Sequence, residues 1–243
     1  MKHRIIRRCT SLMLMGALTL APRVWAADAT PDISGVWEVA AKIPQIKTAD
    51  GKTPPLNSSA QKLYDERVGK YNNHDLSYDP TAKCISPGMP RFLYLPYPFQ
   101  IIQRPKRITY LFQWNYWNRH VDMSGKDLAA PYPLSLGESL GHWEGGALVI
   151  KTNGLRADNT MLDAAGMPHS EALTLIEHIR LIGGGKQLQD RISIDDPETF
   201  TQPWETVVTF NRLPASAEIP LDICLDRTDA GKPAVDWSRK LGK

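Results

Sequence analysis

The residues from Gly141 to Asn211 constrain this chain more than any other stretch, because they read as consecutive β-strands separated by turn residues. Ala147–Thr152 follows the turn Glu144-Gly145-Gly146. Leu173–Ile182 runs into Gly183-Gly184-Gly185-Lys186, and Gln187–Ile194 runs back, so the pair predicts a hairpin whose glycines take the positive φ values of a tight turn. Asp195-Asp196-Pro197 stops the returning strand, since proline cannot donate to a ladder, and Trp204–Phe210 makes the next. Alternation from Leu175 to Leu181 puts Leu175, Glu177, Ile179 and Leu181 on one face. Glu177 is thus a carboxylate on an apolar face. It needs either a partner, such as an arginine of a neighbouring strand, or a place near water, because an isolated buried carboxylate costs several kcal/mol.

Residues 1–26 predict a secretory signal peptide. Lys2, Arg4, Arg7 and Arg8 precede an apolar run from Leu12 to Leu20, and Val24-Trp25-Ala26 offers a cleavage site. That run is shorter than the roughly 20 residues of a membrane span, and Cys9 lies on the wrong side of it for a lipoprotein cysteine. The expectation is export to the periplasm or beyond, without a membrane anchor, with residues 27–243 as one domain. Removing the leader leaves 24 basic residues against 26 acidic ones, so no basic excess argues for nucleic acid. Cys84 and Cys224 remain, and an even pair in an oxidising compartment predicts a disulfide; two buried free thiols are the alternative.

Upstream, Gly35-Val36-Trp37 opens a strand at Gly35–Ala40 and resembles the Gly-x-Trp start of lipocalin and calycin barrels. That resemblance implies a closed barrel around a small apolar ligand, with the tryptophan plugging one end. Lys42–Pro55 is proline-rich loop, and Ser58 with Gln61 has capping-box spacing ahead of a helix over residues 58–70. Tyr71–Pro98 is irregular and aromatic. Phe99–Gln103 and Ile108–Val121 form a hairpin, and the alternation of its long second strand puts Tyr110, Phe112, Trp114 and Tyr116 on one face and Trp117 and Arg119 on the other. Met123–Leu140 reads as loop. With a last strand at Leu221–Leu225, the fold class is all-β: an antiparallel lipocalin/calycin-like barrel of about nine strands with one short flanking helix, a two-sheet sandwich being the alternative.

From Cys84 onward the chain also carries Pro87-Gly88-Met89-Pro90-Arg91, Asn115-Tyr116-Trp117, Gly141-His142-Trp143-Glu144-Gly145, Leu162-Asp163, Pro168-His169-Ser170, Glu177, Ile194-Asp195-Asp196-Pro197, Pro203-Trp204 and Cys224. In these it resembles an uncharacterised family of secreted proteins of soil and aquatic bacteria. The resemblance implies a shared site without naming its activity. Met161 stands where that family pattern has tryptophan, and Gly146-Ala147 where an Asp-Thr pair is usual.

Ligand-spacing motifs for zinc are missing, no Gly-x-Ser-x-Gly elbow is present, and the glycine cluster leads into a strand and not the helix a phosphate loop requires. No metal or other cofactor is expected. What remains is an acid–base set: His169 as base, with Glu177 or Asp163 as its carboxylate partner. Tyr116, Arg119, His142, Met161 and Trp204 are the candidate ligand-binding residues. Two functions follow. One is a periplasmic or secreted barrel that binds a small hydrophobic or aromatic molecule in its interior. The alternative is a cofactor-free isomerase, dehydratase or lyase working on such a molecule.

Overall fold

The computed structural model describes residues 30–126 and 132–242, so the signal-peptide segment lies outside the described residues. Nine strands close into a barrel in chain order. They are β1 (Gly35–Val39), β2 (Phe99–Arg104), β3 (Arg107–Phe112), β4 (Asn118–Asp122), β5 (Glu138–Glu144), β6 (Ala147–Asn153), β7 (Thr174–Ile182), β8 (Gln187–Asp195) and β9 (Trp204–Arg212). The antiparallel pairing of β9 with β1, Trp37 opposite Arg212, closes the ring and leaves no free edge. The glycine cluster forms the β7–β8 turn, with Gly183, Gly184 and Gly185 all at positive φ.

The barrel is not purely antiparallel: β4 and β5 run parallel, through Val121 opposite Ser139 and Asp122 opposite Leu140. A closed ring with an odd number of strands cannot alternate direction all the way round. At least one seam must be parallel, and it falls between β4 and β5, which no tight turn joins. Three further expectations change. Leu221–Leu225 forms no strand; Cys224–Asp229 is a short helix, α2. Glu138–Leu140 belongs to β5 and not to a loop. The long strand Ile108–Val121 is two strands, β3 and β4, joined by a turn over Gln113–Trp117. That turn resets the alternation, so even-numbered residues point inward on β3 (Ile108, Tyr110, Phe112) and odd-numbered ones on β4 (Arg119, Val121).

The barrel axis is filled by the chain's own side chains. Trp37, Phe99, Tyr110, Phe112 and Phe210 are buried there, with Phe99 and Phe210 centroids 5.2 Å apart and Phe99 and Tyr110 5.8 Å apart. Trp37 donates to the Ile33 carbonyl at 3.0 Å, and the Arg212 guanidinium lies 4.2 Å above its ring. Gly35, two residues ahead of the tryptophan, sits at φ 142°, a backbone conformation that strains any residue with a side chain.

Helix α1 (Ser58–Asn72) flanks the barrel. Its N-cap is Asn57, whose side chain accepts from the Ala60 amide at 3.0 Å, and not Ser58, because the chain is already helical at Ser58. The irregular segment packs as its aromatic content predicts, with Phe92 4.5 Å from Phe112 and 5.8 Å from Trp114. The Cys84–Cys224 disulfide forms, with a Cα–Cα distance of 5.6 Å, and ties this segment to α2. No helix of the described residues is long and apolar enough to cross a membrane.

Candidate functional site at the parallel seam

Inside the barrel, a polar belt runs across five consecutive strands. Arg119 (β4), Ser139 (β5), Thr152 (β6), Glu177 (β7) and Asp190 (β8) all point inward and are buried. Glu177 is 0% exposed and binds Arg119 through both carboxylate oxygens, with Nη1 donating to Oε1 at 2.9 Å and Nη2 to Oε2. The arginine also donates from Nε to Ser139 at 3.0 Å and from Nη2 to Thr152 at 2.7 Å. Glu177 therefore has its arginine partner, but from across the barrel and not from a neighbouring strand.

Asp190 was not singled out from the sequence, yet the same signal finds it. In β8, Leu188, Asp190, Ile192 and Ile194 share the inward face, so Asp190 is a second carboxylate on an apolar face. Asp190 lies opposite Ile179, two positions from Ile192, which faces Glu177; the two carboxylates are thus diagonal neighbours. Neither oxygen of Asp190 has a geometrically sound hydrogen bond, and neither has the Tyr110 hydroxyl. Burial first, and the negative charge of Glu177 second, push the Asp190 carboxyl well above the usual carboxylate range. One arginine thus serves two acids, and the second is held toward its protonated form.

A pH dependence follows. Between the unfolded value of about 4 and its raised folded value, Asp190 holds a proton in the folded chain that the unfolded chain has lost. Its contribution to stability therefore falls as pH rises from about 4 upward, by about 1.4 kcal/mol per pH unit, until the folded value is reached. Asp190→Asn keeps the shape and removes the titration. The variant should gain on the wild type as pH rises above about 4 in urea-unfolding experiments, and parallel pH profiles for the two proteins would refute the assignment.

Outside this belt, over the β4–β5 seam, lies a cleft of about 1050 Å³. One wall is the turn and strand from Asn115 to His120, a second is Tyr132 to Glu138, and Arg156, Asp158 and Glu171 from the β6–β7 connection complete it. Arg119, only 2% exposed, forms part of its floor. The wall at Asn115 and Tyr116 is unusual. Both residues sit in the left-handed region, at φ 56° and 54°, where a side chain costs roughly 1–2 kcal/mol. Three hydrogen bonds hold Asn115 there: its amide donates to the Asp222 carbonyl at 2.9 Å, its side-chain amide to the Cys84 carbonyl at 3.4 Å, and its Oδ1 accepts from the Cys224 amide at 3.3 Å. Both halves of the disulfide thus brace the turn, and the turn presents Tyr116, 44% exposed, at the cleft.

The sequence-predicted residues are only partly brought together. Tyr116 and Arg119 line the same cleft, and Arg119 joins Glu177 beneath it. His169 is buried and does not line the cleft, its Nε2 2.9 Å from the Thr160 hydroxyl and its Nδ1 2.9 Å from the Ser170 carbonyl. Burial lowers its pKa, and Nδ1, which faces a carbonyl, donates. No hydrogen bond among the described residues links His169 to Glu177 or Asp163. Asp163 is a buried fastener, accepting from the Tyr64 hydroxyl at 2.7 Å and from the Met167 and Ile46 amides at 3.0 and 3.2 Å. Burial raises its pKa against those bonds. Met161 is buried, its amide donating to the Pro87 carbonyl at 3.2 Å. Trp204 packs edge-on against Phe200 at 5.3 Å. His142 is exposed, 3.7 Å from Glu144.

A second hollow, of about 610 Å³ and more apolar, lies between the end of α1 and the C-terminal segment, with Tyr71, Leu76, Val235 and Trp237 among its walls. No protein-family model and no curated protein matches the chain, so its function has to be read from these sites themselves.

Proposed function

We propose that this protein binds a small molecule with a flat aromatic or apolar face, in the cleft over the β4–β5 seam. The observation that carries the reading is Tyr116, held half-exposed on a left-handed backbone by a brace made of both disulfide cysteines. Unfavourable backbone that the surroundings over-determine is typical of ligand clamps, and Trp117, Leu134 and Leu136 supply further apolar wall. The barrel interior, where the Gly-x-Trp resemblance would put the ligand, is taken up by side chains. The leader of residues 1–26 and the disulfide support a periplasmic or secreted location. The acid–base enzyme reading has less support, because both ring nitrogens of His169 are engaged by Thr160 and Ser170 and neither bonds a carboxylate among the described residues.

Binding is read from the fluorescence of Trp117 and its neighbours during titration with small aromatic compounds. Tyr116→Asn removes the ring while keeping a residue that tolerates the left-handed region. It should weaken binding about tenfold, roughly 1.4 kcal/mol, with little change in melting temperature. Trp237→Ala, in the other hollow, should leave affinity unchanged. The reverse pattern would move the site to the α1 hollow and overturn the proposal.

A further inference from the structure

We infer that the cleft's ligand carries a positive charge: an aromatic or aliphatic amine, or a quaternary ammonium. The inference rests on the cleft being the binding site, and it follows from which charges there are already spent. Arg119 gives its guanidinium to Glu177, Ser139 and Thr152. Arg156 gives both Nε and Nη2 to Asp158, at 2.8 and 2.7 Å. His120 has its Nδ1 3.1 Å from the Thr109 hydroxyl. Two carboxylates remain on the cleft wall, Glu138 and Glu171, and neither makes an ion pair or hydrogen bond among the described residues; Arg156 feels Glu171 only as a weaker, more distant charge.

An anionic ligand would meet those two carboxylates with no free guanidinium to offset them. A cation would find opposite charge together with the faces of Tyr116, Trp117 and Tyr132. Aromatic faces attract ammonium groups through the ring quadrupole, most strongly where water is partly displaced. The bidentate Arg119–Glu177 pair is electrically balanced beneath the cleft floor, so the sign of the cleft wall is set by Glu138 and Glu171.

The test uses the full mature protein and three matched probes at low salt: 2-phenylethylamine, neutral 2-phenylethanol and anionic phenylacetate. Wild type should bind the amine at least tenfold tighter than the alcohol and the acid least, with the amine's advantage shrinking as salt is added. Glu138→Gln/Glu171→Gln should bring the amine down to the alcohol without weakening the alcohol. Tyr116→Asn should weaken both. If alcohol and amine bind equally to wild type, or if the double variant keeps the preference, the charge inference fails while the cleft remains a binding site. Binding that is insensitive to Tyr116→Asn, or the failure of all three probes to bind, overturns the cleft reading and the charge inference with it. Unchanged melting of each variant separates lost recognition from lost folding.

Discussion

Arg119→Ala should destabilise the protein by about 3–5 kcal/mol, the range for removing one partner of a buried ion pair. The arginine donates to Ser139, Thr152 and both oxygens of Glu177. Without it, a fully buried carboxylate and two buried hydroxyls lose their donor inside a wall of Ile150, Leu175, Ile179 and Ile192. Glu177→Ala should cost a similar amount, since it strands the guanidinium. The double variant Arg119→Met/Glu177→Leu should be more stable than either single one, because a well-packed apolar pair avoids the desolvation that the charges suffer. Urea-unfolding midpoints for the three variants decide the matter. If Arg119→Ala costs less than about 1 kcal/mol, the belt does not behave as a buried ion-pair network.

The second large effect is that of the disulfide. Cys84 and Cys224 are 140 positions apart, and in the chain-entropy account closing a loop of that size contributes about 5 kcal/mol by restricting the unfolded chain. Cys84→Ser/Cys224→Ser should therefore lower the melting temperature by roughly 10–20 °C for a domain of this size. The same change should weaken aromatic binding at the cleft even in conditions where the variant stays folded, because the Cys84 and Cys224 backbones hold Asn115. Adding reductant to wild type should reproduce both results. A melting shift under about 3 °C would mean that the crosslink adds little to a fold already held by its barrel. Full retention of binding in the folded variant would separate the disulfide from the Tyr116 wall.

Much of the barrel was legible in local patterns. Strands β6 to β9, the glycine turn between β7 and β8, helix α1 and the cysteine pair all follow from period-two alternation, turn chemistry and cysteine arithmetic, and the structure has each of them. Of the polar belt, Glu177 stood out as a carboxylate on an apolar strand face, and Asp190 carries the same mark one pleat repeat along the next strand.

Other features were not local. The alternation through Ile108–Val121 looks continuous, and only the turn at Asn115 and Tyr116 shows that the inward face changes from even to odd numbers. That turn is stabilised by Cys84, Asp222 and Cys224, residues far away along the chain, so no nearby sequence signal marks it. The parallel seam follows from closing nine strands into a ring, and closure is a property of the whole sheet. His169, Glu177 and Asp163 are all buried, as inward or capping residues should be, but burial does not say beside what. The amino-acid pattern alone is enough for strands β6 to β9, their inward faces, the crosslink and an expected leader. Which charges meet, which cleft opens and which tyrosine lines it depend on contacts between distant strands, because a side chain's partner is set by sheet register and closure and not by its neighbours in the chain.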